Sequence, residues 1–260
     1  MKNDMDDYAL FVQQVYRKTG INLANYKEAQ MKRRLTSFRD REKYVSFQAM
    51  LHAFDDDPLL LERFLSRITI NVSEFFRNPE RWRCLQKDIL PSLVKKYPHL
   101  RCWSAACSTG EEPYTLAIIL KQLGYSFELL ATDIDRAVLE RARAGEYDEQ
   151  ALKYMPQDLR NQYLKSLSGS RYRVHGDLKQ WIEFARHDLL QDPFPERCHL
   201  IVCRNVLIYF TDEAKARIYR AFANSLVPGG ILFVGSTEQI LHPADYGLTP
   251  IAPFMYERQA

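Results

Sequence analysis

Trp103-Ser104-Ala105-Ala106-Cys107-Ser108-Thr109-Gly110-Glu111-Glu112-Pro113-Tyr114-Thr115-Leu116-Ala117 is the stretch on which the fold turns. It predicts a strand running into small residues, a turn at Gly110, and a helix opened by Glu111, Glu112 and Pro113. Proline early in a helix loses no hydrogen bond, and acidic side chains in a first turn complement the helix dipole. Small residues let a ligand approach the backbone closely. Taken alone, the stretch reads equally as a well-capped strand–turn–helix without a ligand. A nucleotide pyrophosphate wants a helix N-terminus free of negative charge. Here two carboxylates stand in the way, and only one glycine of a G-x-G-x-x-G pattern is present. The loop suits a ligand with a cationic end and no phosphate, such as S-adenosylmethionine, and argues against a dinucleotide.

Outward from this stretch, residues 101–106, 127–134, 199–210 and 231–236 are short apolar runs of strand character, most of them separated by helical stretches. This alternation predicts a mainly parallel α/β sheet with right-handed crossovers over residues 100–260. The second run ends in Asp133, 23 residues beyond Gly110. That is close to the spacing at which a strand-end carboxylate takes the ribose hydroxyls of an adenosine. An Asp after a strand also caps helices; Asp133 reads as the ribose ligand and Asp135 as the cap. The third run carries Arg204 and Asn205 inside apolar sequence, where they need hydrogen-bond partners or a ligand. Ligands in open α/β sheets bind at the carboxyl ends of strands, although capping of a strand-end turn would also satisfy both. Val227-Pro228-Gly229-Gly230 reads as a turn. Residues 165–184 are polar and turn-rich, and predict a small inserted hairpin.

The first 78 residues read as helices only. Tyr8, Phe11, Val12 and Val15 repeat with helical period, and Gly20 follows as a stop. Met31, Leu35 and Phe38 continue the pattern, with Arg33 on the outer face and Lys32 and Arg34 flanking. Leu59–Ile70 is a third helical run. Residues 27–43 hold seven basic side chains against three acidic ones, a local excess of +4, which fits an acidic partner surface or a nucleic acid. Residues 79–99, with Pro79, Pro91 and Pro98, read as a joining segment. Just before it, Asn71, Ser73 and Arg77 lie where helical and α/β sequence meet, a favoured place for ligand sites. Helix capping and surface charge explain the same residues equally well.

Composition bounds the class. The 260 residues have 46% apolar and 27% charged content and a net charge of +3, as expected of a globular protein that is not a general polyanion binder. No apolar run approaches the roughly 18–20 residues of a membrane span, and the start of the chain lacks signal-peptide order. Cys84, Cys102, Cys107, Cys198 and Cys203 form no C-x-x-C pair, and the histidines no H-x-x-x-H. A cytoplasmic protein without a structural metal is expected.

Together, the junction 70–77 (INVSEFFR), SAACSTGEEPY, ATDID, CRNVLIYF and the closing LFVGSTE resemble the chemotaxis receptor methyltransferases, the CheR family, over nearly the whole chain. The resemblance implies a Rossmann-like class I methyltransferase domain at 100–260, with a small β-subdomain inserted at about 165–184. An all-α substrate-recognition domain at 1–78 and a linker at 79–99 would precede it. It implies methyl transfer from S-adenosylmethionine to glutamate side chains on the cytoplasmic helices of chemoreceptors, leaving S-adenosylhomocysteine. The cofactor contacts would be Asn71, Ser73, Arg77, Ala106, Glu112, Asp133, Asp188, Arg204, Asn205 and Tyr209. Ser73 stands where threonine is frequent and keeps the hydroxyl. Asp188 stands where asparagine is frequent and, when ionised, only accepts hydrogen bonds.

A glutamate carboxylate, with a pKa of about 4.3, is already ionised at neutral pH, so the reaction needs no general base. It needs desolvation and alignment. Arg77 is the candidate for positioning the acceptor and Tyr209 for orienting the acceptor or the methyl group, while Lys32, Arg33 and Arg34 would meet acidic receptor helices. A nucleic-acid or small-molecule methyltransferase and a non-catalytic sensor of the cofactor are the other readings. Against nucleic acid, the basic helix lacks interleaved aromatic residues. A monomer that does not enter membranes is expected. In this family the inserted hairpin sometimes docks a receptor C-terminal tether peptide and then carries a G-x-G turn. Here Gly169 and Gly176 stand seven residues apart, so no tether binding is expected.

Overall fold

The computed structural model describes residues 2–69 and 73–259. The chain divides into two compact units, Met1–Ile70 with Tyr209–Ala216 and Asn71–Ile208 with Arg217–Ala260.

Among the described residues the first unit is built mainly on α1 (Lys2–Thr19), α2 (Glu28–Arg41), α3 (Phe47–Asp56) and α4 (Pro58–Ile68). Phe11 and Val15 of α1 and Met31, Leu35 and Phe38 of α2 are buried, as their period predicts. The chain turns at Gly20, whose φ of 77° suits glycine. Helix α3 is an element that the sequence reading did not name. Its first turn is held by Ser46, which accepts from the Ala49 N–H at 3.0 Å, and by Asp7, which accepts from the Phe47 N–H at 2.8 Å. Asp57 then caps α4, with Pro58 in its first turn. Phe64 centres the core, its ring 4.8 Å from Phe54, 5.7 Å from Phe11 and 6.0 Å from Phe38. Truncating such a buried phenylalanine to alanine costs about 3–5 kcal/mol.

The second unit is a seven-stranded sheet with a smaller one beside it. The strands are β1 (His99–Ala105), β2 (Ser126–Asp133), β3 (Glu146–Asp148), β4 (Leu164–Ser166) and β5 (Arg171–Val174). They continue with β6 (Ile182–Arg186), β7 (Cys198–Cys203), β8 (Leu226–Val234), β9 (Leu248–Ala252) and β10 (Met255–Arg258). The main sheet runs β6-β2-β1-β7-β8-β10-β9. Its first five strands pair in parallel, and β10 is antiparallel to both neighbours. Strands flanked by crossover helices are buried on both faces, which explains why Leu200, Ile201, Val202 and Cys203 of β7 are all inaccessible.

Three stretches differ from the sequence reading, and the first of them, residues 227–230, read as a turn, lies within β8. Residues 79–96, read as a joining segment, are helical: Pro79–Cys84, a π turn at Leu85–Ile89, and Leu90–Lys96. They place Trp82, Leu85 and Leu90 in the core. Pro79 stands in a first helical turn, where a missing N–H costs nothing, and Pro91 follows the π turn inside the same helical run, so these prolines do not mark a linker. The small sheet is also wider than the hairpin read at 165–184. β4 and β5 form that hairpin, β3 pairs with β5 across 23 to 27 positions of sequence, and β6 departs to become the edge of the main sheet beside β2. Among the described residues no helix is long and apolar enough to cross a membrane.

Candidate functional site

The chain leaves β1 towards β2 on one side and leaves the adjacent β7 towards β8 on the other, so connections from the carboxyl ends of these two strands run in opposite directions. Such a switch point opens a crevice where ligands bind. The loop that follows β1 is stitched to β2: the Cys107 N–H donates to the Thr132 carbonyl at 2.8 Å, and the Ser108 N–H donates to Asp133 Oδ2 at 2.8 Å. Ala106, Ser108 and Gly110 all have left-handed backbone, with φ of 60°, 49° and 97°. Strain of this kind at two non-glycine residues is held only where surroundings over-determine it, as they do at ligand sites. Gly110 is required twice over. A Cβ there would lie 2.9 Å from Ala142 Cβ and 3.0 Å from Tyr147 Oη.

The helix Glu111–Gln122 begins at this loop. Glu111 is buried and accepts from Thr109 Oγ1 at 2.7 Å, and a hydrogen bond from Ser73 reaches the same carboxyl. Its role is to secure the turn. Glu112 accepts from Ser104 Oγ at 2.9 Å. Burial pushes its pKa up to about 7, against the pull of Arg204. Burial likewise raises Asp133 to about 6, although each of its oxygens accepts a backbone N–H, from Ser108 and from Asp135 at 3.0 Å. Asp135 is the cap of the helix Arg136–Ala144, as read. Two buried carboxylates reluctant to ionise mark a place where added positive charge relieves the fold. Those acceptor carboxylates, beside strained small residues, fit a ligand carrying ammonium, sulfonium and ribose hydroxyls.

Beyond β7, Arg204 is buried, and its Nη2 donates to the Arg77 carbonyl at 2.8 Å and to Asn78 Oδ1 at 2.9 Å. Its guanidinium lies over the rings of Trp82 and Phe233, and its Nε has no protein partner among the described residues. Asn205 follows with φ 63°. After β6, Asp188 turns its carboxylate onto its own loop, accepting from the Leu190 N–H at 2.8 Å and Gln191 Nε2 at 2.9 Å. An acid serves that turn better than an amide, which accounts for Asp at this position. Of the residues read from sequence, Ser73, Arg77, Ala106, Glu112, Asp133, Asp188, Arg204 and Asn205 thus all lie in the α/β unit. Asn71 lies outside the described residues.

Lys32, Arg33, Arg34 and Tyr209 belong to the helical unit. There the Arg34 guanidinium sits 5.1 Å from the Tyr209 ring centroid and donates to the Ile68 carbonyl at 2.7 Å. Gln30, Arg33, Arg34, Ser37, Arg67 and Tyr209 line one cavity of about 560 Å³. Its lining carries three guanidinium groups and no carboxylate. The sequence reading did not find Arg67, which α4 brings to α2 from 33 residues away. The reading also passed over Glu238, which is buried beneath Asn205.

Comparison with known proteins agrees with this arrangement. The family described as CheR methyltransferase, all-alpha domain, matches residues 6–69, and CheR methyltransferase, SAM binding domain, matches residues 71–251. The chemotaxis protein methyltransferase of Listeria innocua is 46% identical over 254 residues, 96% of each chain. That of Borreliella burgdorferi is 31% identical over 97% of this chain and 94% of its own. Matched in both domains and along nearly its whole length, the chain belongs to the CheR family of S-adenosylmethionine-dependent chemotaxis methyltransferases.

Proposed function

We propose that the chain methylates glutamate side chains on the cytoplasmic helices of chemoreceptors, yielding glutamate methyl esters and S-adenosylhomocysteine during chemotactic adaptation. The observation that carries this reading is the cavity of Arg33, Arg34 and Arg67 beside Tyr209, an anion-complementary surface suited to clustered receptor glutamates. When bound, S-adenosylmethionine supplies an electrophilic methyl group on a sulfonium. Glu112 and Asp133 hold its cationic end and its ribose, and Ala106 leaves room for close backbone approach. Arg204 and Asn205 shape the pocket wall. Arg77 positions the acceptor carboxylate and Tyr209 orients it. A guanidinium steers a carboxylate, yet one paired too tightly blunts its nucleophilicity, so Arg77 serves best as a loose partner. The protein's task is alignment and exclusion of water. On this reading the enzyme works as a cytoplasmic monomer, with no nucleic acid as partner.

Incubation with methyl-labelled S-adenosylmethionine and receptor cytoplasmic fragments tests it. Label released by mild base as methanol marks a carboxyl ester. Base-stable label, or label on nucleic acid, overturns the reading, and no turnover at all points to a sensor.

A further inference from the structure

One buried carboxylate in the α/β unit has no part in the roles above. Glu238, 5% exposed, stands just past β8. Its Oε2 accepts from the N–H groups of Asn205 at 2.7 Å and Gly235 at 2.8 Å. Its Oε1 accepts from those of Leu207 at 2.6 Å and Ile208 at 3.3 Å. Four donors on two oxygens match what only an ionised carboxylate offers, since an amide side chain has one acceptor and two donors of its own. Three of the four donors belong to the loop after β7, and the fourth to the turn after β8. Asn205 keeps its left-handed φ of 63° while its N–H is held in this way. Space is tight as well. A Cβ on Gly235 would lie 2.4 Å from Glu238 Oε2 and 2.7 Å from the Asn205 nitrogen.

Electrostatics reinforces the geometry. Burial raises the pKa of Glu112 and lowers that of Arg204, and the charge of Glu238 acts upward on both; burial raises Glu238 itself, opposed by its four backbone N–H donors. Glu112 is faced by Ser104 from β1, Arg77 from the segment before Pro79, Arg204 after β7 and Glu238 after β8, with the Cys107 and Cys203 thiols nearby. Glu238 therefore acts on the pocket through a loop and through a field, and touches no reacting atom itself.

We propose that Glu238 is a positioning residue of the methyl-donor site, setting the backbone of residues 204–208 against which S-adenosylmethionine binds. The inference rests on the reading of Arg204 and Asn205 as cofactor contacts.

The test is calorimetric binding of S-adenosylmethionine and S-adenosylhomocysteine to full-length Glu238→Gln, Gly235→Ala and Asp133→Ala, well below each melting temperature. Glu238→Gln keeps the shape but sets an NH₂ against backbone N–H groups, and affinity is expected to fall about ten-fold or more, the scale of losing a charged hydrogen bond. With the like charge gone, the pH below which S-adenosylmethionine affinity declines should also move down from near 7, where Glu112 titrates. A purely structural role would lower the melting temperature and leave both readouts unmoved, and that result overturns the proposal. Gly235→Ala displaces the same carboxylate without removing its charge, so it should weaken binding while leaving the pH midpoint in place. It decides the matter if the glutamine variant does not fold, and unchanged affinity there overturns the proposal too. Asp133→Ala separates the two levels of inference. If it leaves binding intact, the site itself is misplaced; if it alone weakens binding, only the role of Glu238 fails.

Discussion

Arg204 Nη1 lies 3.8 Å from Glu112 Oε2, and neither side chain has more than slight access to solvent. At that distance the pair is an ion contact too long for a good hydrogen bond, so Glu112 is only partly compensated and its pKa stands near 7.

The folded pKa values of Glu112 and Asp133, about 7 and about 6, lie above the ordinary carboxylate range. The fold therefore binds more protons than the unfolded chain across this interval. The stability associated with these two groups is complete below about pH 4 and is lost as pH rises through 6 and 7, by an amount on the order of 3 kcal/mol for Glu112. The melting temperature of the cofactor-free protein should fall between about pH 5 and 7.5, and Glu112→Gln should flatten that slope. Scanning calorimetry across this range checks it, and a wild-type profile that is flat or rises counts against the assignment.

Asp133→Ala should weaken S-adenosylmethionine binding by about 1–3 kcal/mol, the scale for hydrogen bonds to a charged group. The same change removes the carboxylate that accepts from the Ser108 and Asp135 N–H groups, so the helix starting at Arg136 should lose amide-exchange protection. Titration calorimetry and hydrogen exchange read the two effects separately.

Arg77→Ala and Tyr209→Phe should each lower turnover more than cofactor affinity, because both are assigned to the geometry of transfer. Wild-type kcat at saturating cofactor and receptor in either variant removes that residue from the mechanism.

Charge reversal at Arg33 or Arg67 should raise the receptor KM several-fold and flatten its dependence on salt, leaving cofactor binding intact. Arg34 is a poorer probe, since its bond to the Ile68 carbonyl also holds α2 to α4. Receptor kinetics that do not change in either variant exclude the arginine cavity from substrate recognition.

A labelled receptor C-terminal pentapeptide should show no saturable binding. The β4–β5 turn lacks a G-x-G, and across β5 the Arg173 Nε donates to Glu146 at 2.9 Å, so this arginine is already paired with a carboxylate of the chain's own. Micromolar saturation in a fluorescence titration would refute this.

What was readable in advance follows from how local each signal is. The turn at Gly110, the cap at Asp135 and the buried stripe of α2 depend on residues within one or two helical turns of each other, and sequence spacing displays them. Helix α3 was harder because one of its caps, Asp7, comes from 40 residues upstream. Residues 79–96 misled because proline marks both linkers and helix starts, and only the burial of Trp82 and Leu90 separates the two. β3 is three residues long, too short for a period to register. Glu238 and Arg67 were invisible for the same reason: the donors of one and the neighbours of the other stand about thirty residues away, brought close only by the completed fold.

Tyr147 of β3 reaches out of the small sheet and donates from its hydroxyl to the Thr109 carbonyl at 2.6 Å. Its ring meets Phe75 edge-on at 4.9 Å. The small sheet is therefore wired into the turn that carries Gly110 and is more than an ornament on the main one. Anyone trimming this enzyme to a minimal catalyst, or grafting in the corresponding segment of a relative, must carry Tyr147 along; a splice made downstream of it exchanges the hairpin and spares the turn at Gly110.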